Sequence, residues 1–108
     1  MEDRPRPILS ALGEDPSFAP AIEAFVVALA ERVDELQDCE AQGAFVRLAE
    51  RAGALAAEAA KVGYGPLAEW AEVVRSAGAA RNAQDARKAL LELTEVAYRV
   101  RLGHRGSV

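Results

Sequence analysis

The sequence has little of the residue types on which most reaction chemistry depends. It has one cysteine, Cys39, and one histidine, His104. A single cysteine excludes an internal disulfide and fits a reducing cytoplasm, and one histidine with one cysteine is too few for a zinc site of the Cys/His type. The sequence also lacks a glycine-rich phosphate loop and the spacing of a serine–histidine–aspartate triad. We therefore expect no metal, no cofactor and no enzymatic catalysis.

Charge and hydropathy exclude two further kinds of partner. The formal net charge is −4, and an acidic balance argues against the basic face that binds nucleic acid. The N-terminus is charged and carries no long apolar run, so we expect neither a signal peptide nor a membrane span. The chain is predicted to be cytoplasmic and to bind neither nucleic acid nor a membrane.

Apolar residues recur at helical spacing through most of the chain. The first long helix starts at Pro16, with Asp15 as its N-cap, or at Pro20, and it ends near Asp38. A loop over 39–43 leads to a second helix over 44–62. The segment 63–66 breaks that helix, and a third helix follows from Pro66 to about residue 77.

A small-residue linker over 76–81 is predicted to precede the last helix. Asn82 is the predicted N-cap of that helix, and Gly103 is its predicted end. A short helix over 7–12 precedes the first long one, and we expect residues 1–6 and 103–108 to be flexible. Short connections between amphipathic helices predict an all-α fold: one domain, an antiparallel up-and-down four-helix bundle with a short N-terminal helix.

Two residues could have chemical roles but have simpler interpretations. His104 follows the predicted helix-ending glycine, so we interpret it as an exposed residue of a polar tail. Trp70 has helical spacing with other apolar residues of the third helix and is predicted to anchor the core.

One segment resembles a signalling motif. Ala52, Leu55, Ala59, Gly63 and Leu67 have the spacing found in the histidine-containing phosphotransfer domain of bacterial two-component phosphorelays. That family carries a phosphohistidine on the exposed side of its second long helix, in the motif Ala-His-x-Leu-Lys-Gly-x-Ala, with a glycine ten residues after the histidine. The resemblance covers roughly residues 8–101, and it implies a four-helix bundle that docks response-regulator receiver domains and histidine kinases.

The reactive residues of that motif are absent. Gly53 stands at the phosphohistidine position, Ala56 at the lysine and Ala57 at the following glycine. A glycine that points outward in mid-helix costs about 1 kcal/mol relative to alanine, which favours a former functional position or a close approach by a partner. The resemblance therefore implies a protein that docks a receiver domain or a histidine kinase and carries no phosphate. The predicted partner-binding residues are Val46, Glu50, Gly53, Ala54 and Ala57.

Two alternatives stay open. The first is an active phosphotransfer protein that uses another residue, for which His104 is the available histidine. The second is a structural or dimerising helical bundle with no link to signalling.

Overall fold

The computed structural model describes residues 5–106, with side chains described for 5–104. In this part of the chain there are four α-helices: α1 (Ala19–Ala41), α2 (Phe45–Lys61), α3 (Gly65–Ala79) and α4 (Ala83–Gly106). A single turn of 3-10 helix, Pro16–Phe18, precedes α1. Residues 1–4, 107 and 108, which belong to the segments predicted to be flexible, lie outside the described residues.

The four helices form a closed ring in which each packs against its two neighbours. Contacts join α1 to α2, α2 to α3, α3 to α4, and α4 back to α1. The predicted all-α, up-and-down four-helix bundle is confirmed. Its centre consists of apolar side chains that the helical period places on the inner face of each helix: Leu29, Leu36, Leu48, Leu55, Leu67, Val74, Leu93 and Val100. No helix in the described part of the chain combines the length and the apolar character needed to cross a bilayer.

The structure distinguishes the two predicted starts of the first long helix: α1 begins at Ala19, next to Pro20. Pro20 lies in the first turn of the helix, where its missing N–H removes no hydrogen bond. Asp15 instead caps the 3-10 turn, because its Oδ1 accepts bonds from the Ser17 hydroxyl (2.8 Å) and backbone N–H (3.0 Å). These bonds, the hydroxyl first, hold the pKa of Asp15 below its ordinary value.

Two of the predicted helix boundaries and one predicted core residue differ from the structure. The loop predicted from Cys39 begins only after Ala41, because Cys39 continues the buried stripe of α1 one turn beyond Leu36. The predicted linker over 76–81 is helical as far as Ala79. Trp70 was predicted to be a core anchor, but it is only half-buried and packs at the edge of the core.

The three interhelical turns share one geometry. Two residues after the end of each of the first three helices is a residue with positive φ: Gly43 (67°), Gly63 (84°) and Arg81 (55°). The next N–H then bonds back to a carbonyl five residues earlier, as in a Schellman motif: Ala44 to Cys39 (2.9 Å), Tyr64 to Ala59 (2.9 Å) and Asn82 to Ala77 (3.0 Å). Asn82 also caps α4 as predicted, since its Oδ1 accepts from the Asp85 N–H at 3.0 Å.

The segment 5–12, which we call the N-terminal strap, lies across the ends of α2 and α4. Its N–H groups bond to other segments, Ile8 to the Arg99 carbonyl (3.0 Å) and Ala11 to the Gly63 carbonyl (2.8 Å). The helix predicted over 7–12 is therefore wrong, because these groups are already paired outside the segment. Ile8 packs against the core, whereas Leu9 is 68% exposed.

Gly103 does not end α4. The helix continues to Gly106, and Gly103 is buried beneath the strap. A Cβ at this position would overlap the Ile8 carbonyl oxygen and lie 3.0 Å from the Ile8 carbonyl carbon. The glycine therefore permits the close crossing of strap and helix, and the predicted helix end at Gly103 is wrong.

Candidate functional site

The five predicted partner-binding residues lie together on the outer side of α2. Val46 is 60% exposed, Glu50, Ala54 and Ala57 are exposed, and Gly53 is half-buried. Residues at these spacings share one side of a helix, and the buried residues of α2 occupy the opposite side. We call these five residues the α2 face.

Gly53 lies at the edge of the α2 face that borders α3. A Cβ on Gly53 would be 3.2 Å from Cδ of Arg75 and 3.8 Å from its Cγ. Arg75 is half-buried, and its Nε donates to Glu72 Oε1 at 2.8 Å. The methylene chain of Arg75 thus covers the point at which a side chain at position 53 would leave the helix.

A second glycine brings α3 close to the backbone of α2. Gly78 is buried, and a Cβ on it would be 3.3 Å from both the Ala49 nitrogen and the Phe45 carbonyl oxygen. These neighbours are main-chain atoms, which cannot turn away as a side chain can. Gly78 thus fixes the position of α3 along the border of the α2 face.

Ion pairs line the other border, between α1 and α2. Arg51 Nη1 contacts Glu35 Oε1 at 3.2 Å, and Arg32 pairs with Glu58. All four side chains are partly exposed, and such pairs contribute at most about 1 kcal/mol each. They occupy four of the charged groups on that side, while the exposed Arg47 has no ion pair among the described residues. The α2 face itself has small or apolar side chains and one carboxylate, Glu50.

The α2 face has the chemistry of a contact surface. Among its five residues, Glu50 is the only titratable group, and none has a nucleophilic imidazole, thiol or hydroxyl. Carrying phosphate as the resembling family does needs an imidazole nucleophile, which none of the five side chains provides. Small side chains, by contrast, allow the backbone of α2 to come close to a partner.

His104 lies elsewhere in the fold. It is on α4, half-buried, and lines a cavity bordered by the N-terminal strap and the start of α1. The prediction of an exposed tail residue is wrong because α4 continues past Gly103. Within residues 5–104, no three side chains of histidine, cysteine, aspartate or glutamate are grouped so that they could hold a metal ion.

Tyr64 lines the same cavity, although no sequence pattern singled it out. It is 2% exposed, and its ring stacks on Phe25 with the centroids 5.8 Å apart. Burial raises the pKa of the Tyr64 phenol above its ordinary value. Its position between Gly63 and Gly65 suggested a turn residue, but the Schellman turn directs its side chain inward.

The raised pKa of Tyr64 predicts a loss of stability at high pH. The unfolded chain ionises this phenol near pH 10, while the folded chain keeps it neutral to a higher pH. The stabilisation is therefore complete below about pH 10 and is lost as the pH rises towards the folded pKa. We expect urea denaturation to show a smaller fall in unfolding free energy between about pH 9 and about pH 11 for Tyr64→Phe than for the parent. Tyr98→Phe is the control, because Tyr98 is 43% exposed; equal slopes for both variants would contradict the assignment.

Comparison with known proteins gives no relative: no protein-family model, no curated protein and no solved structure matches the chain. The α2 face is therefore interpreted from its own geometry and from the motif resemblance of residues 52–67.

Proposed function

We propose that this protein is a phosphotransfer-like interaction module that docks a receiver domain or a histidine kinase through the α2 face and accepts no phosphate itself. The observation that supports this most is the position of Gly53. It lies on the outer side of the second long helix of a four-helix bundle, where the resembling family holds its phosphohistidine. The surrounding α2 face keeps an apolar contact surface without the reactive group.

The properties of the face favour binding over chemistry. Val46 provides exposed apolar area, and Ala54 and Ala57 have small side chains that let a partner come close to the helix. A partner that covers this patch would bury apolar surface at about 25 cal/mol per Å². Such a module would compete with an active phosphate carrier for its partner, or hold that partner in place.

The proposal predicts that one large side chain on the α2 face abolishes docking. Ala54→Arg places a long charged side chain on the α2 face, and we expect it to weaken binding to a cognate receiver or kinase at least tenfold, about 1.4 kcal/mol. Ala30→Arg is the matched control, because Ala30 is an exposed alanine on α1. Binding is measured by calorimetry against purified receiver domains and histidine kinases encoded in the same genome.

Three results would contradict the proposal. In the first, no receiver or kinase of the genome binds the parent protein. In the second, Ala54→Arg and Ala30→Arg weaken binding equally, which would place the contact elsewhere. In the third, a phosphorylated receiver transfers label to the chain and His104→Ala removes it, which would favour an active phosphotransfer protein. A stable homodimer without any signalling partner would instead favour the structural bundle.

A further inference from the structure

A cavity of about 360 Å³ lies under the N-terminal strap. Its walls come from the strap, the start of α1, the turn after α2 and the end of α4. The volume falls in the range of small-molecule sites, which are mostly apolar with a few convergent polar groups. The apolar part of the wall consists of Leu9, Ala19 and Ile22.

One residue of the cavity wall, Tyr64, carries a phenol hydroxyl. Among the described residues it makes no hydrogen bond, although only 2% of Tyr64 is exposed. No side-chain nitrogen or oxygen in the described part of the chain is both fully buried and unpaired, so the hydroxyl must touch open space. The cavity that Tyr64 lines provides that space. A polar ligand atom placed there would satisfy a phenol that otherwise has no protein partner.

The charged groups of the cavity wall select the sign of the ligand. Glu14 and Glu23 both line it, together with the imidazole of His104, and no lysine or arginine is among the lining residues described. Neither glutamate forms an ion pair within the described part of the chain. Two carboxylates without an ion-pair partner among the described residues, near an apolar wall, attract a cation.

We propose that this cavity binds a small organic ammonium ion with an apolar body. The apolar body contacts Leu9, Ala19 and Ile22, and the ammonium group lies between the carboxylates and the Tyr64 hydroxyl, to which it donates. The site is independent of the proposed docking function. Gly53 lies eight residues before the end of α2, about 12 Å along the helix from that end, and no residue of the α2 face lines the cavity.

The test uses three probes of nearly equal size: 2-phenylethylamine, 2-phenylethanol and 3-phenylpropanoate. Binding to the full chain is followed by the amide NMR shifts of Ser10, Gly13 and Gly103, which all line the cavity. We expect the amine to bind in the millimolar to high-micromolar range, the alcohol to bind more weakly and the carboxylate to cause no shift. Tyr64→Phe is expected to weaken binding of the amine about fivefold, and Glu23→Gln about threefold.

Glu69→Gln is the control for charge, since Glu69 is an exposed carboxylate on α3 that does not line the cavity. Tyr64→Phe keeps the ring that stacks on Phe25, and circular dichroism checks that its fold is unchanged. Equal binding of the amine and the alcohol would overturn the proposal. So would tighter binding of the carboxylate, full affinity in Tyr64→Phe, or the absence of shifts at the three amides at millimolar amine.

Discussion

Gly78→Leu is expected to lower the free energy of unfolding by about 3 kcal/mol, a large fraction of the stability of a small domain. The Cβ, which is the first atom that the substitution adds, would lie 3.3 Å from the Ala49 nitrogen and from the Phe45 carbonyl oxygen. Because both are main-chain atoms of α2, the helices must separate to admit the rest of the side chain. Gly78 is the last residue but one of α3, so the gain in helix propensity is at most about 0.8 kcal/mol and offsets only part of this cost.

Gly53→Leu provides the matched control for Gly78→Leu. It makes the same change at a mid-helix glycine on the same side of the bundle, but its Cβ would meet only the flexible side chain of Arg75. Arg75 can rotate away, so we expect an unchanged or slightly raised stability, by up to about 1 kcal/mol. Urea denaturation measures both variants. Equal losses of unfolding free energy in Gly78→Leu and Gly53→Leu would show that contacts other than the close approach at Gly78 hold α3 to α2.

Gly103→Ala is expected to release the N-terminal strap. The new methyl group would overlap the Ile8 carbonyl oxygen, and the strap backbone must move away from α4. That movement breaks the bond from the Ile8 N–H to the Arg99 carbonyl and the bond from Arg99 Nε to the Arg6 carbonyl, which is 2.8 Å long. Ile8 also becomes partly exposed. After the gain in helix propensity is subtracted, we expect the free energy of unfolding to fall by about 2 kcal/mol.

Hydrogen exchange distinguishes this release from a general destabilisation. The amides of Ile8 and Ala11 are expected to lose their protection in Gly103→Ala, while the amides in the middle of α2 keep most of theirs. Gly65→Ala serves as the control, because a Cβ there would meet nothing within 4 Å. Retained protection at Ile8 and Ala11 would mean that the strap passes over a methyl group without moving.

The architecture could be predicted because it follows from local pattern. Apolar residues at the helical period fix the inner face of each helix. The side chain of Asn82 marks a helix start, and Gly63 marks a helix end because it has no Cβ to disfavour a positive φ. The turn at Arg81 gave no such signal, since it places a non-glycine residue at a φ of 55°. The preference of Arg81 against this conformation is overcome by the packing of α3 and α4 on either side of the turn.

Of the site, only the features that lie on the single helix α2 could be predicted. The period of α2 was enough to place Val46, Glu50, Ala54 and Ala57 on a single exposed side. The residues next to that side depend on the position of α3 along α2. Residue spacing within either helix does not predict this position. Arg75 and Gly78 were missed for this reason. The cavity was missed because its lining comes from segments at opposite ends of the sequence.

The crossing of strap and α4 also sets an order of events during synthesis. Arg99 and Arg6 are 93 residues apart in the chain, so the part of the strap that contacts α4 has no surface to bind until the last helix has emerged from the ribosome. Helices α2 and α3 are joined by a short turn and can associate earlier, since closing a small loop loses less entropy than closing a large one. The ammonium pocket is thus assembled last in biogenesis, and a nascent chain shows its α2 face before it has any pocket at all.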